Sequence, residues 1–246
     1  MGFEHELIIP NEGFPFKLFQ FEGKDGHYVR EKHWHRSIEI FAVFEGTLAF
    51  FINEEEYPLG SGEFILLNSN EIHSISSPEA NRTIVLQIPM NVLRNVETGG
   101  GLILFTHSPK RQDSKIMELI GSMYQELQER GSEYEWKVQS DFFMLVYLLL
   151  TKYRKREILP EEIRHYRKLN RLSTITGYIR ENYTKELSLE MVADRFGYSP
   201  SYLSRMFRKY AQTNYKTYLQ NVRIEYGFRE LANTCLLYTS PSPRDA

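Results

Sequence analysis

Cysteine is all but missing: the 246-residue chain has one, Cys235. A single thiol excludes an intrachain disulfide framework and any zinc site built on several cysteines. It fits a chain kept in the reducing cytoplasm. Long apolar runs are missing too. The longest, Phe142 to Leu150 (FFMLVYLLL), falls far short of the ~20 residues that span a bilayer. It reads as a buried helix segment, and no membrane partner is expected. The N-terminal MGFEHELIIPNEGF has neither a basic cluster nor an extended apolar stretch, so no signal peptide is expected. The chain does have 41% hydrophobic and 25% charged residues, enough for a packed core and against wholesale disorder. Its length suits one large domain or two ordinary ones.

A net charge of −2 hides an asymmetry. Residues 1–108 carry 15 acidic against 7 basic side chains, whereas Arg164 to Thr234 carry 6 against 13. An acidic half joined to a basic half suggests different partners for each, the basic one a candidate for binding a polyanion.

The texture changes along the chain as well. From Phe14 to about Pro89, short runs rich in Phe, Ile and Val alternate with turn chemistry such as EGKDG, NEEEYPLGSG and NSNE. Strands are expected at 16–21, 27–32, 37–44, 47–52, 63–67, 73–76 and 82–88, the spacing of a β-sandwich or barrel. Past Gly99–Gly101 the period becomes helical. Ile116, Leu119, Ile120, Met123 and Leu127 share one helix face. A second helix over about 134–156 is expected to set Trp136, Phe143, Val146, Leu150 and Tyr153 along one side. Pro160 marks a boundary, and beyond it the chain reads as all helix.

Two segments of the β-half carry chemistry. HWHRSIEIFAVFEG spaces His33, His35, Glu39 and Gly46 as H-x-H-x3-E-x6-G. With a side-chain period of two, His33, His35 and Glu39 are expected on one face of a strand. GEFILLNSNEIHSIS adds Gly62 and His73. Imidazoles and a carboxylate that converge suit a divalent metal, or form a hydrogen-bonded lining of a small-molecule pocket. The two segments resemble the signature motifs of the cupin superfamily, which implies a double-stranded β-helix barrel. Asn68 and Asn70 stand where that pattern has Pro and Gly, and Ser77 where it has Asn. In metal-binding cupins the ligands implied by the match are His33, His35, Glu39 and His73. The same four are the expected effector-binding residues, no catalytic residue is expected, and no cofactor is required beyond a possible divalent metal.

The basic half contains LSLEMVADRFGYSPSYLSRMFRKYA (187–211). Ser188 is a suitable N-cap, and Gly197 can take the positive φ that ends a helix and begins a tight turn. Ser199 caps the next helix, with Pro200 at its first position. Val192, Phe196, Leu203, Met206 and Phe207 form the internal apolar set. This is a helix-turn-helix pattern. With its flanks, YIRENY (178–183) and YLQNVRIE (218–225), it resembles the first helix-turn-helix and linker helix of the AraC family of bacterial transcription regulators. Gln212 and Gly227 depart from that family's usual Gly and Ala. By position in the module, Ser201, Ser204 and Arg205 are expected to face bases in the major groove, with Arg208 and Lys209 on phosphates and Tyr202 able to do either.

The resemblance implies a further helix-turn-helix after the linker helix. Instead CLLYTSPSPRDA follows Thr234, with no helical period and two prolines unsuited to a recognition helix. Codons for it can be chosen to spell a transposase-type sequencing adapter in frame, so residues 235–246 are expected to be a non-native tail on a C-terminally truncated chain, with weakened DNA binding.

The expected architecture is α+β: a cupin-like effector domain (1–108), dimerisation or linker helices (109–160) and an AraC-type DNA-binding domain (161–234). The function expected from it is a cytoplasmic, homodimeric regulator that binds double-stranded DNA and senses a small molecule such as a sugar. The alternative is a cupin metalloenzyme, an isomerase or dioxygenase, with a helical appendage.

Overall fold

A computed structural model of the chain describes residues 4–6, 8–22, 28–52, 55–96, 102–107, 113–211 and 213–234. The expected tail, 235–246, and Gln212 lie outside the described residues. The chain divides into two compact units, the first running to Arg167 and the second from Lys168.

Among the described residues, nine strands make up the β part of the first unit: β1 Glu4–His5, β2 Lys17–Glu22, β3 Tyr28–Trp34, β4 Ser37–Glu45, β5 Leu48–Ile52, β6 Glu55–Leu59, β7 Phe64–Leu67, β8 His73–Ser77 and β9 Arg82–Pro89. They form two sheets, ordered β1-β3-β8-β5-β6 and β2-β9-β4-β7. Seven of the nine lie close to the expected positions. β6 is the edge strand of its sheet, where Pro58 is tolerated because the missing N–H breaks no central ladder; its Glu-rich EEYPL reads as a turn from sequence. β1 is a two-residue parallel pairing of Glu4 and His5 with His33 and Trp34.

The β2-β9-β4-β7 sheet is buried on both faces, which explains the near-continuous apolar text of its strands. On β4, Phe41 and Val43 face inward and join Phe50, Ile52, Ile75 and Val85 in the core between the sheets. The alternate residues, Ile38, Ile40 and Ala42, join Leu86 and Ile88 in a second core on the sheet's outer side. Two helices complete that outer core. Helix α1 (Ser114–Glu129) is capped by Asp113, whose carboxylate accepts from the Lys115 and Ile116 amides, and helix α2 (Tyr134–Leu148) continues through a π-type turn to Tyr153. Ile116, Leu119, Ile120, Met123, Val138, Phe142 and Leu145 all lie in the outer core. The expected stripe on α2 divides between two faces: Val146 and Tyr153 are buried, but Trp136 and Phe143 are exposed. α2 is therefore apolar on both sides, and a single stripe cannot be read from its sequence.

Helix α3 (Pro160–Glu181) contributes its later turns to the second unit, where α4 (Leu189–Arg195), α5 (Pro200–Met206) and α6 (Tyr215–Thr234) follow. Leu172, Ile175 and Ile179 of α3, Val192 and Ala193 of α4, Leu203, Met206 and Phe207 from α5 onward, and Val222 of α6 are buried. Phe196 is half-buried and packs edge-on against Tyr178. Arg223 ties α6 to the carbonyls of Tyr183 and Lys185.

Gly46 of the cupin-like motif has φ +76°, and a Cβ there would stand 2.3 Å from the Ala80 carbonyl oxygen. Gly46→Ala should therefore lower stability by about 1–3 kcal/mol, from the left-handed backbone and the contact together. Urea unfolding followed by circular dichroism measures this, and an unchanged midpoint would contradict it.

Candidate functional site

The motif residues meet inside the first unit, by a route other than one strand face. The chain leaves β3 at Trp34, turns at His35–Arg36 and enters β4 at Ser37, in the other sheet. His33 thus comes from one sheet, His35 from the corner and Glu39 from the other sheet. His73, on β8, lies directly across from His33 in register, with ring centroids 4.2 Å apart. All four are at most 3% exposed.

Hydrogen bonds fix the three rings. Nδ1 of His33, His35 and His73 lies 2.9, 3.2 and 2.9 Å from the carbonyl oxygens of Glu31, Ser37 and Glu71. A carbonyl only accepts, so each Nδ1 carries a proton and each Nε2 turns inward. His35 Nε2 then stands 2.7 Å from Oε2 of Glu39. With both ring nitrogens against acceptors, His35 is an imidazolium paired with a carboxylate. Burial opposes charge on either group, but their attraction and hydrogen bond outweigh it, raising the His35 pKa and holding Glu39 well below the usual carboxylate range, with help from His73. Burial, with repulsion from His73 second, pushes His33 down to about 3, so it is neutral near pH 7. His73 Nε2 lies 3.2 Å from the same Glu39 oxygen and is a buried polar atom.

Gln87 of β9 is a site residue that motif reading misses. It pairs with Glu39 in register, is 1% exposed, and donates its amide to Oε1 of Glu39 at 2.7 Å. A signal was available: Gln87 is the lone side-chain amide in the apolar run TIVLQI.

A cavity of about 150 Å³ opens beside this cluster, lined in part by His33, Glu39, Gln87, Lys17, Phe19 and Phe41. That lies below the ~300 Å³ lower end of drug-sized sites and suits a small ligand. One ring nitrogen from each of His33, His35 and His73 falls within 4.8 Å of the others. With Nδ1 of each ring held by a carbonyl, this donor set fits a divalent cation. A bound cation would replace the proton between His35 and Glu39 and offer a Lewis-acidic anchor for a ligand oxygen.

The departures from the cupin pattern have structural work to do. Asn70 takes the positive φ (67°) that the pattern gives to glycine, a conformation Asn tolerates better than most residues, and its amide donates to the His35 carbonyl at the corner. Asn68 exchanges two hydrogen bonds with the backbone of Phe105 and donates its own amide N–H to Glu71. Proline at 68 could not make the last. Buried Glu71 also accepts from His107 and Tyr166, so a residue close to His73 in sequence is tied to the first turns of α3.

In the second unit the expected caps are in place. Ser188 accepts from the Met191 amide, Ser199 from the Tyr202 amide, Pro200 opens α5, and Gly197 has φ +70°. Ser201, Arg205, Arg208 and Lys209 are exposed, while Ser204 and Tyr202 are half-buried and Tyr202 lies against Tyr198. These six residues share the outward side of α5 and its continuation, opposite buried Leu203, Met206 and Phe207.

Known families match both halves. Residues 18–146, just over half of the chain, match the AraC-like ligand binding domain, and residues 179–220 match the bacterial regulatory helix-turn-helix proteins of the AraC family. The chain belongs to the AraC family. Its relatives include the melibiose operon regulatory protein of Escherichia coli K12, 20% identical over 89% of this chain and 76% of that protein. The lactose operon transcription activator of Staphylococcus xylosus is 23% identical over 96% and 79%. The crystal structure of ToxT from Vibrio cholerae O395 shares the fold, with a TM-score of 0.57 at 14% identity over 89% of this chain and 84% of that one. This AraC-family chain is thus a transcription regulator with a ligand-binding domain and a DNA-binding helix-turn-helix, and the two relatives above are both regulators. That removes the metalloenzyme alternative. Among the described residues no helix is long and apolar enough to cross a membrane.

Proposed function

We propose that this regulator acts in the cytoplasm as a homodimer that reads a specific DNA sequence in response to a small molecule, a sugar in type. Residues 1–108 would hold the effector, 109–160 pair the protomers and 161–234 bind DNA. The observation that carries the DNA reading is the capped helix α5, with Arg205 and Ser201 exposed on one side and an apolar set buried on the other. Arg205 and Ser204, with Ser201, would read base edges; Arg208 and Lys209 would contact phosphates, and Tyr202 would support the helix face. The effector would sit against the preformed polar cluster of His33, His35, Glu39 and His73, of which His33 and Glu39 line the small cavity. The melibiose and lactose systems named for two relatives support a sugar-type effector.

Pairing is supported by the outer face of α2. Trp136, Phe143, Met144 and Tyr147 are 72%, 59%, 47% and 60% exposed, and their spacing puts them on one side of the helix. An apolar stripe of this kind is self-complementary about a two-fold axis, so its occupant would be α2 of a second copy.

Selection of binding sites from a random duplex pool by the full chain tests the DNA reading. A recurring motif should emerge. Arg205→Ala should relax one position of it at a cost of about 1–3 kcal/mol, whereas Lys209→Ala should weaken all sequences alike and lower the salt slope by about 1. No enriched motif, or equal behaviour of the two variants, would contradict the assignment. For pairing, sedimentation should show a dimer that Phe143→Asp turns into a folded monomer; a monomeric wild-type chain would overturn it.

A further inference from the structure

Gln87 and Lys17 are neighbours in register on β9 and β2, and both face the cavity. The Gln87 amide has only one orientation open to it. Its Nε2 must donate to the Glu39 carboxylate, which leaves Oε1 of this cavity-lining residue buried and with no hydrogen-bond partner. A buried carbonyl oxygen left in this way is costly unless a donor reaches it, so a ligand hydroxyl is the missing complement. Lys17 supplies the opposite request. Arg30, also at the cavity, lies 3.7 Å from Glu6, and His35 is paired with Glu39. The Lys17 ammonium has no carboxylate among the described residues; it lies 4.7 Å from the centre of the Phe19 ring. The cavity wall therefore includes an ammonium that pairs with no carboxylate among the described residues. Phe19 and Phe41 give the same space an apolar side suited to the C–H face of a ring.

We propose that the pocket takes a small hydroxylated carboxylate, an acidic sugar or related hydroxy acid, with its carboxylate on Lys17 and a hydroxyl donating to Oε1 of Gln87. This rests on the reading of the pocket as the effector site and narrows the ligand class within it. A neutral sugar would satisfy Gln87 and leave Lys17 unused. An acid satisfies both, through a charge-assisted hydrogen bond that a neutral ligand cannot match.

Calorimetric titration of the full chain at pH 7 with D-galacturonate, D-glucuronate, D-galactose and D-glucose tests it. At least one acid should bind, at least about tenfold more tightly than its parent sugar. Lys17→Met should abolish that preference and Lys17→Arg should retain it. Gln87→Leu should weaken the acid and the sugar together, and thermal melts check that each variant is folded. A parent sugar that binds as tightly as its acid, weakened by Gln87→Leu and untouched by Lys17→Met, overturns the acid class while keeping the pocket as effector site. Acid binding unchanged in both variants overturns the class and the pocket alike. No binding by any of the four overturns the assignment to acidic sugars.

Discussion

One buried carboxylate organises the ligand-binding half of this regulator. Taking an ionised Glu out of water costs several kcal/mol unless partners replace its hydration. Glu39 has them: the His35 imidazolium on one oxygen and the Gln87 amide on the other, with His73 nearby. Breaking such a pair from one side costs on the order of 3–5 kcal/mol, since the remaining charge stays buried alone. The arrangement can form only when β3, β4, β8 and β9 are all in register. Burial of the carboxylate therefore specifies the packing of two sheets and holds the cavity wall ready before any ligand arrives.

The same strands connect that wall to the helices. Glu39 and Gln87 face the cavity, whereas their neighbours Ile38, Ile40, Leu86 and Ile88 pass through the sheet into the core shared with α1 and α2. A ligand that displaces the Glu39–Gln87 pair acts on strands whose other face supports the exposed stripe of α2. A second connection leaves the His73 loop, where Glu71 gathers Asn68, His107 and Tyr166. A ligand controls such contacts only as far as it binds one arrangement better than another, and the polar cage is where that difference can be made.

Much of this was legible in the sequence, and the exceptions have physical causes. The helix-turn-helix could be read residue by residue because its signals are local: caps at Ser188 and Ser199, Pro200 at a helix start, Gly197 at positive φ. The four cupin-like residues were legible as a set but not as a geometry. A period of two puts His33, His35 and Glu39 on one strand face, but the corner after Trp34 carries the chain from one sheet to the other. β6 was hidden because an edge strand can hold Pro58 and several Glu residues. Gln87 and Lys17 were hidden because their role comes from long-range register, β9 against β4 and β2. Two faces of α2 read as one because both are apolar, the inner for the core and the outer left exposed.

The site turns on one charge distribution: inside the barrel His35 is an imidazolium on Glu39, while His33 remains neutral with its proton on Nδ1. Nitrogen NMR of the histidine side chains, with the full chain at pH 7, reads protonation and tautomer directly. The spectrum should contain a signal set with both ring nitrogens protonated, lost in His35→Asn, and a neutral Nδ1-protonated set, lost in His33→Asn. A neutral His35, or a His33 that is charged at that pH, would contradict it.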